Sequence, residues 1–586
     1  MAETKKKISS SLVKRVLSLT DDYKPLFYWA LLLAIIQAPL GILRPHIINK
    51  MVDDHLMKNV FEGLSMMVFW YMVVLIATVL LRYVFILATN HLGQSIVREL
   101  RVRVFRHIIH LDLSFFDKTA IGTATTRTIN DIESINEVFS EGVITILADI
   151  LGLIAVLMIM FAVSWKLSLV CLIPLPFLIY ASYIFKEKVA ASFQRVRTHI
   201  ARMNSFLQER ISGMRIIQIF NAENQEKEKF KKINREYTQA NIDGIFYYAV
   251  FFPVVELISA TSLALMVWWG AKGVLQDEVT LGALIAFPIY LSMLFRPIRF
   301  LADKFNTLQM GLIAAERVFG ILDLKNKIPN DGTVIAKELN GDIGFDNVRF
   351  SYIENQEVLK GVSFKVPAFS TLAIVGSTGS GKTTIISLLD RLYDIQSGTI
   401  RIDGLDIKSY ELSSLRSRIG VVLQDVFLFG GTVTENITFK NDKISLEQVM
   451  FAAKQIGAHE FIEKLPNGYD FIISERGFNL SMGQRQLISF VRALVYDPDI
   501  LILDEATSSI DPETEGIIQY AIEKLIEKRT SIIIAHRLTT IRHADQVLAM
   551  DHGEVREMGT HEELLNKPNG LYRKLYDYQF SRVLQT

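Results

Sequence analysis

The stretch TLAIVGSTGSGKTTIISLLDRLY, residues 371–393, decides the fold of the second half of the chain. It begins with an apolar, β-branched run typical of a buried strand, and it ends in an apolar-periodic segment typical of a helix. The turn between them, residues 376–384, has the spacing G-x-x-x-x-G-K-[ST]. Because a strand, a glycine-rich turn and a helix in this order form a phosphate-binding loop, the sequence predicts an α/β nucleotide-binding domain.

Each part of the turn has its own chemistry. The glycines let backbone N–H groups wrap around phosphates, and the start of the helix adds its dipole. Lys382 is expected to reach the outer phosphates, and the Thr383 hydroxyl is expected to ligate Mg²⁺. The predicted nucleotide-binding residues of this loop are Gly376, Ser377, Thr378, Gly379, Ser380, Gly381, Lys382, Thr383 and Thr384.

A second motif, DILILDEATSSID at residues 499–511, combines an apolar strand pattern with two acids at its end. The buried run would present Asp504 at the carboxyl end of a strand, where the ligands of a sheet bind. We expect Asp504 to hold Mg²⁺ through water and Glu505 to orient or deprotonate the attacking water. The alternative for Glu505 is a solvated acid with no chemical role.

The first half of the chain contains six apolar runs that approach or exceed the length of a membrane helix. They are residues 26–43, 63–81, 150–165, 167–185, 244–271 and 279–295. Lysine and arginine cluster at the N-terminus and after the second and fourth runs. Since cytoplasmic segments carry this excess, the N-terminus and the C-terminal half are predicted to be cytoplasmic. The helix-periodic stretches between runs two and three, and four and five, predict membrane helices that continue into the cytoplasm.

Charge and cysteine content exclude several functions. The chain has 63 basic and 62 acidic residues, which does not favour nucleic-acid binding. A single cysteine, Cys171, excludes an intrachain disulfide and a cysteine-based zinc site. Charges within or beside the apolar runs should face the bundle interior or water. They are Arg82, Asp149, Glu256, Arg296 and Arg299. Glu256 fits either an internal ion pair or contact with a cationic or polar cargo.

In order and kind, these motifs resemble the half-size ABC exporters of the multidrug and lipid flippase class. The resemblance covers nearly the whole chain. It implies an all-α six-helix transmembrane domain followed by an α/β P-loop ATPase domain of ABC type. The boundaries we expect are residues 1–322 for the transmembrane domain, 323–340 for a linker and 341–586 for the ATPase domain.

The resemblance assigns roles to residues outside the phosphate loop. Tyr352 resembles the aromatic residue that stacks on adenine, and Gln424 resembles the glutamine that senses Mg²⁺ and the membrane domain. His536 resembles the histidine that contacts the γ-phosphate, so that Glu505 and His536 are the catalytic candidates. The implied cofactors are ATP and Mg²⁺. The predicted metal-binding residues are Thr383, Gln424 and Asp504.

The segment LSMGQ, residues 480–484, resembles the signature loop of the family. The resemblance implies that Ser481 and Gly483, with Gln484 beside them, face the nucleotide of a second subunit. Asp511 resembles a residue that couples the two sites, and SERG at 474–477 resembles a segment that touches the cytoplasmic loops. Met482 stands where a glycine is more usual. Methionine at this position fits the chain with intact catalytic acids in a heterodimer whose partner lacks them. It also fits a homodimer that tolerates this residue, and we favour the homodimer.

The expected function is ATP-driven export or flipping of hydrophobic or amphipathic substrates, such as drugs or lipids, by a dimer embedded in the bilayer. Residues 111–122 and 213–223 match the tips of the cytoplasmic loops, and the second tip would rest on the ATPase domain of the partner. The location implied is a bacterial inner or plasma membrane. The alternative is an ATP-gated channel or a nucleotide-binding regulatory subunit that transports nothing. The transported substrate is not specified by these motifs.

Overall fold

The structure is a computed structural model that describes residues 10–325, 328–504, 512–535 and 541–580. The chain divides into two compact units. The helical unit comprises residues 1–109 and 121–324. The sheet unit comprises residues 110–120 and 325–586. The short segment 110–120 therefore belongs by its contacts to the sheet unit, although the chain on both sides of it belongs to the helical unit.

The helical unit is built almost entirely from long α-helices. Its helices are α1 Ser10–Ser18, α2 Lys24–Lys50, α3 Leu64–Ile108, α5 Ile121–Glu137, α6 Val143–Val163, α7 Trp165–Leu172, α8 Leu175–Ser212, α9 Met214–Ile219, α10 Glu223–Leu275 and α11 Leu281–Leu322, and α4 Leu113–Lys118 lies in the sheet unit. Two π-helical turns, Met51–Leu56 and Val138–Gly142, extend α2 and join α5 to α6.

Within the described residues, six helical segments are long and apolar enough to cross a membrane. Several of them run far beyond the apolar portion, since α3 has 45 residues and α10 has 53 residues. A membrane span needs only about 20 residues. The additional turns are polar continuations of the same helices, as the sequence pattern predicted.

Polar and proline residues occur inside these helices. Pro253 lies within α10, and both Pro288 and Pro297 lie within α11. Asp149 on α6 forms an ion pair with Lys304 on α11, which was not predicted. Cys171 is fully buried, as expected for a small apolar side chain, and its carbonyl accepts a hydrogen bond from Ser262 Oγ at 2.7 Å. Such bonds satisfy polar groups that lipid cannot satisfy.

The other charges named from the apolar runs have different environments. Arg82, Glu256 and Arg296 are exposed in the single chain. The side chain of Arg299 lies outside the described part of the structure. Both interpretations of Glu256 therefore remain open predictions.

The described residues of the sheet unit form three sheets surrounded by short helices. Its strands are β1 Ile343–Phe350, β2 Leu359–Val366, β3 Thr371–Gly376, β4 Ser397–Ile402, β5 Leu405–Asp406, β6 Ile419–Val422, β7 Gly431–Thr432, β8 Ile472–Ile473, β9 Ile500–Asp504, β10 Thr530–Ile534, β11 Gln546–Asp551 and β12 Glu554–Gly559. Its further helices are α12 Lys382–Leu389, α13 Leu412–Ser417, α14 Val433–Thr438, α15 Leu446–Gln455, α16 His459–Glu463, α17 Met482–Val495, α18 Pro512–Ile526, α19 His561–Asn566 and α20 Leu571–Phe580.

The six-stranded sheet has the order β12-β11-β3-β10-β9-β6, in which β12 is antiparallel and the other five strands are parallel. Its central strands β3, β9 and β10 are apolar and almost completely buried, as expected where helices cover both faces of a parallel sheet. The second sheet, β2-β1-β4-β5, is antiparallel. Because parallel strands end at one edge, the residues that follow β3, β6 and β9 are brought to the same side.

Candidate functional site

The phosphate loop lies between β3 and α12, as the sequence predicts. Gly379 and Gly381 have φ angles of +83° and +98°, which L side chains rarely adopt. A Cβ atom at Gly376 would lie 2.4 Å from the carbonyl oxygen of Met550, so this position also excludes a side chain. Gly381 is the residue just before α12, so the N–H groups of the first turn of α12 point toward the loop.

Lys382 supplies the positive charge of the loop. Its ammonium donates to the carbonyl oxygens of Gly376 and Ser377 at 2.9 and 3.0 Å. Burial lowers the pKa of Lys382, and the nearby Asp504 carboxylate partly offsets that effect. A cation that is partly removed from water interacts more strongly with an anion than a solvated one does. Lys382 is therefore well placed to bind phosphate oxygens.

The predicted metal ligands come from three different elements of the sheet unit. Thr383 is exposed in the first turn of α12, and Asp504 is a buried carboxylate at the end of β9. Gln424 is exposed two residues after β6, the strand that pairs with β9. The set offers a hydroxyl, a carboxylate and an amide oxygen, which are the hard ligands that Mg²⁺ prefers.

Tyr352 follows β1 and contacts the phosphate loop directly. Its hydroxyl donates to Thr384 Oγ1 at 3.1 Å. Its ring meets Phe350 and Tyr393 edge to face, with centroid distances of 4.8 and 5.1 Å. About a third of Tyr352 is exposed, so the ring retains an open surface on which a base could stack.

The signature segment is the N-terminus of α17. Ser481 Oγ accepts a hydrogen bond from the Gln484 N–H at 3.2 Å, and Gln484 Oε1 accepts one from the Ser481 N–H at 2.9 Å. This reciprocal capping box satisfies two backbone donors that the helix cannot satisfy. Gln484 therefore has a structural role in this turn that the sequence interpretation did not assign.

Met482 is the first residue of α17, and Gly483 is buried behind it. Met482 is not among the described residues that have a positive φ angle. Its backbone conformation therefore does not require glycine. The turn keeps its geometry with methionine at this position.

Three of the predicted residues, Glu505, Asp511 and His536, lie outside the described residues. Their roles remain predictions. In the sequence, Glu505 directly follows Asp504 at the end of β9, and His536 comes two residues after the end of β10. The segment 474–477 is described: Ser474 is extended, and the short 3-10 element Glu475–Gly477 is kinked at Arg476, which has a φ angle of +58°.

Sequence reasoning did not identify Tyr393 or Asp117. The Tyr393 hydroxyl donates to Asp117 Oδ2 at 2.5 Å, and the two residues are 276 positions apart. Gln486 was also not identified; it is buried and lines a small cavity together with Asp504. Tyr393 follows the phosphate-loop helix closely, but nothing in the local sequence indicates its distant partner.

Comparison with known proteins agrees with this geometry. Residues 27–298 match the family described as the ABC transporter transmembrane region, and residues 359–508 match the family described as ABC transporter. The chain is 44% identical over 497 residues to the ABC transporter ATP-binding protein YknV of Bacillus subtilis, covering 85% of this chain and 82% of that protein.

Two further relatives cover nearly the full length. The ATP-dependent lipid A-core flippase of Syntrophus aciditrophicus is 35% identical over 574 residues, covering 97% of this chain and 94% of the relative. YgaD of Bacillus subtilis, named for multidrug export, is 33% identical over 578 residues, covering 97% of this chain and 99% of the relative. The predicted fold class, a six-helix membrane domain followed by an ABC-type ATPase domain, is confirmed. The chain therefore belongs to the ABC transporter family as a half-size exporter, whose ATPase domain couples ATP hydrolysis to transport across a membrane.

Proposed function

We propose that two copies of this chain form an exporter for lipids or other amphipathic molecules in the plasma membrane of a bacterium. The N-terminus and the ATPase domain would lie in the cytoplasm, where the basic residues cluster. The observation that carries the dimer is a pair of exposed apolar surfaces in one chain. We name them the coupling face, Ile216, Ile219 and Phe220, and the aromatic patch, Phe427, Phe429 and Phe439.

The coupling face lies on α9 and the residue that follows it. All three of its side chains are more than half exposed, and Phe220 is 73% exposed. A helix of six residues is too short to be stable in water on its own. A large apolar side chain on such a helix is commonly a contact for another protein surface. We therefore expect α9 to be covered in the working protein.

The aromatic patch lies on the sheet unit. Phe429 packs edge to face against Phe427 and Phe439, with centroid distances of 5.1 and 6.0 Å. Each of the three rings is at least half exposed, and Arg492 lies over the Phe439 ring at 4.5 Å. A rigid aromatic cluster with this exposure suits an aliphatic and aromatic partner such as the coupling face. We propose that the coupling face of one subunit docks on the aromatic patch of the other.

A cross-linking experiment tests this assembly. Cys171 is the only cysteine of the chain, so Cys171→Ala provides a background without thiols. One tagged copy carries Ile219→Cys, and a second copy with a different tag carries Phe427→Cys. A short bismaleimide should join the two tags in membranes. Pairing Ile219→Cys with Glu523→Cys is the matched control, because Glu523 is exposed on α18 and is not one of the residues of the patch. Equal cross-linking of both pairs would refute the docking.

The proposed catalytic cycle assigns a role to each of the predicted site residues. Lys382 and the loop amides would bind the phosphates of ATP, while Thr383 and Asp504 would hold Mg²⁺ with Gln424 beside them. Glu505 would orient the attacking water, and His536 would contact the γ-phosphate. Ser481 and the Gly483 N–H would contact the nucleotide of the other subunit, and Asp511 would lie near the junction of the two sites.

The signature turn supports a homodimer over a heterodimer. The sequence contains every residue that hydrolysis needs, including Lys382 and Glu505. Met482 leaves the capping box of α17 intact, so two identical chains can each supply a working turn. Purification of the protein expressed alone, followed by an ATPase assay, tests this preference. Cooperative hydrolysis without a partner supports the homodimer, and activity that requires a second chain would favour the heterodimer.

The substrate class is proposed from the membrane domain and from the relatives. Many large apolar side chains of the spans are exposed in the single chain, which suits contact with lipid tails. One long relative is named a lipid A-core flippase and another is named for multidrug export. Proteoliposomes that contain a nitrobenzoxadiazole-labelled phosphatidylethanolamine provide the test, with dithionite reporting the leaflet of the label.

Labelled lipid should change leaflet in the presence of Mg²⁺ and ATP. Glu505→Gln should abolish most ATP hydrolysis and all ATP-dependent movement. Wild-type protein that hydrolyses ATP but moves neither this lipid nor any drug or peptide in a panel would contradict the proposed transport function. Unchanged turnover in Glu505→Gln would show that the catalytic assignment is wrong.

A further inference from the structure

An aromatic group in the sheet unit joins the phosphate loop to the segment 110–120. Phe350, Tyr352 and Tyr393 pack around one another with centroid distances of 4.8, 5.1 and 5.7 Å. The two pairs that include Tyr352 are edge to face, and the pair of Phe350 with Tyr393 is tilted. Aromatic pairs of this kind fix the rings relative to each other more firmly than burial alone does. Displacement of one ring therefore requires the other two rings to shift.

The aromatic group is hydrogen-bonded at both ends, to the phosphate loop at one end and to α4 at the other. At one end, the Tyr352 hydroxyl donates to Thr384 Oγ1 in the first turn of α12 at 3.1 Å. At the other end, the Tyr393 hydroxyl donates to Asp117 Oδ2 on α4 at 2.5 Å. Four side chains thus form a continuous path from the phosphate loop to α4.

The helix α4 is itself well defined. Asp112 caps its N-terminus, since its carboxylate accepts hydrogen bonds from the Phe115 N–H at 3.3 Å and the Ser114 hydroxyl at 2.7 Å. Phe115 is buried. The cap and the buried ring hold α4 as one formed helical turn that carries Asp117 near its C-terminal end.

The contact between Tyr393 and Asp117 borders a cavity of about 620 Å³. Its lining includes Asp112 and Lys118 from the segment of α4, Pro329 from the linker and both tyrosines. Because open space lies beside the contact, α4 is held at this point by a polar bond and not by close packing on every side. A contact of this kind can lengthen or break without forcing core side chains apart.

Burial raises the pKa of Tyr393 well above its usual range, and the hydrogen bond to Asp117 raises it further. The phenol therefore keeps its proton at neutral pH and remains a donor. A hydrogen bond from a neutral phenol to a carboxylate is charge-assisted and strong.

We propose that Tyr393 is a positioning residue that connects the adenine platform Tyr352 to α4, so that stacking of the base on Tyr352 sets the position of α4. The proposal rests on the proposed function, in which Tyr352 binds the base and α4 is one of the two loop tips. It assigns a role to the base that is separate from the role of the phosphates. Phosphate binding through Lys382 is the same for every nucleoside triphosphate, so a difference between nucleotides that differ only in the base reports on stacking.

The test compares ATP with UTP, because a pyrimidine offers a smaller surface for stacking. Both nucleotides are used at saturating concentration with Mg²⁺ on full-length wild-type protein in lipid. The first measurement is hydrogen–deuterium exchange of the peptide that contains residues 110–120. The second is the number of labelled lipids moved per nucleotide hydrolysed.

Wild-type protein should protect residues 110–120 more strongly with ATP than with UTP, and its transport ratio should be about fivefold higher with ATP. Tyr393→Phe should lower the exchange protection and the transport ratio measured with ATP to the levels measured with UTP. Both quantities measured with UTP should stay unchanged. Asp117→Ala, which removes the acceptor, should have the same effect, and the double variant should be no worse than either single variant. Basal ATP hydrolysis should be retained in all three.

The matched control is Tyr496→Phe. This variant also loses one hydrogen bond within the sheet unit, from the Tyr496 hydroxyl to the carbonyl oxygen of Thr438 at 2.7 Å, and that bond leads to α14 instead of α4. It should behave as wild type in both measurements. If Tyr496→Phe removed the difference between ATP and UTP, general loss of stability would explain the result and the proposal would be overturned.

Two other outcomes also refute the proposal. In one, Tyr393→Phe leaves the difference in exchange protection between ATP and UTP intact. In the other, Tyr393→Phe lowers the protection equally with both nucleotides. A wild-type protein that shows the exchange difference but moves no lipid would instead contradict the transport function. The exchange measurement therefore keeps the two failures distinguishable.

Discussion

Substitution of Ser481 should separate two roles that this residue combines. Its hydroxyl caps α17 by accepting from the Gln484 N–H, and we propose that the same hydroxyl faces the phosphate of the partner's nucleotide. Ser481→Ala removes both interactions. Loss of an N-cap costs about 1 kcal/mol, which corresponds to a fall in Tm of about 2–4 °C for a domain of this size. The helix itself should survive, because its apolar face is buried in the core.

Ser481→Asp should retain the cap and remove the phosphate contact. Aspartate is as good an N-cap residue as serine, and its charge suits a helix N-terminus. The same carboxylate would meet the γ-phosphate of the opposing nucleotide. Two unit negative charges at about 5 Å and an effective dielectric constant of about 20 repel by about 3 kcal/mol, or about a hundredfold in rate.

The assay compares Tm and ATP hydrolysis of the two variants with wild type at one heating rate and in one lipid. We expect a lowered Tm and lowered hydrolysis for Ser481→Ala, and a nearly unchanged Tm with strongly lowered hydrolysis for Ser481→Asp. Hydrolysis by Ser481→Asp at the wild-type rate would refute the placement of Ser481 against a phosphate. An equal fall in Tm for both variants would refute the capping argument.

Three further outcomes follow from the ATPase domain. Gly381→Ala should weaken ATP binding, measured by titration calorimetry, because a Cβ at φ +98° would lie 2.7 Å from a Leu359 methyl group; unchanged affinity would contradict this. Burial raises the pKa of Asp390 to about 6. Because the buried carboxyl group is stable only when protonated, the free energy of unfolding should fall as pH rises from about 4 through 6. Asp390→Asn should therefore gain more Tm over wild type at pH 7.5 than at pH 4.5, and a constant difference would argue against it. Met482→Gly should change ATP hydrolysis while lowering stability by no more than about 1 kcal/mol, and unaltered turnover would make methionine a neutral choice.

The parts of the fold that sequence could predict are those whose physics is local. The six spans follow from the apolar composition of single helices, and lipid permits few other structures. The phosphate loop follows from residues 376–384, because a single short segment supplies its glycines, lysine and hydroxyl groups. Asp504 was also predictable, since a buried strand that ends in an acid presents that acid at the edge of the sheet.

The contacts that sequence could not predict join distant segments. The bond between Tyr393 and Asp117 connects residues 276 positions apart, and the ion pair between Asp149 and Lys304 connects two separate helices. Neither partner has a local pattern that marks the other. Only the fold brings them together. The capping role of Gln484, in contrast, was predictable from the local sequence. The spacing S-x-x-Q before an apolar helix is the pattern of a capping box, although the same residues also match the signature loop.

The capping box also explains why Met482 is compatible with the fold of this turn. The backbone at this position is fixed from both sides, by Ser481 before it and Gln484 after it, and Met482 itself begins a regular helix. A residue with a helical φ angle has no local need for glycine. Its side chain is half-buried, so part of it is open to contacts beyond the turn. If the turn faces a partner's nucleotide, the identity of residue 482 affects the hydrolysis at that facing site while the fold of its own chain is preserved.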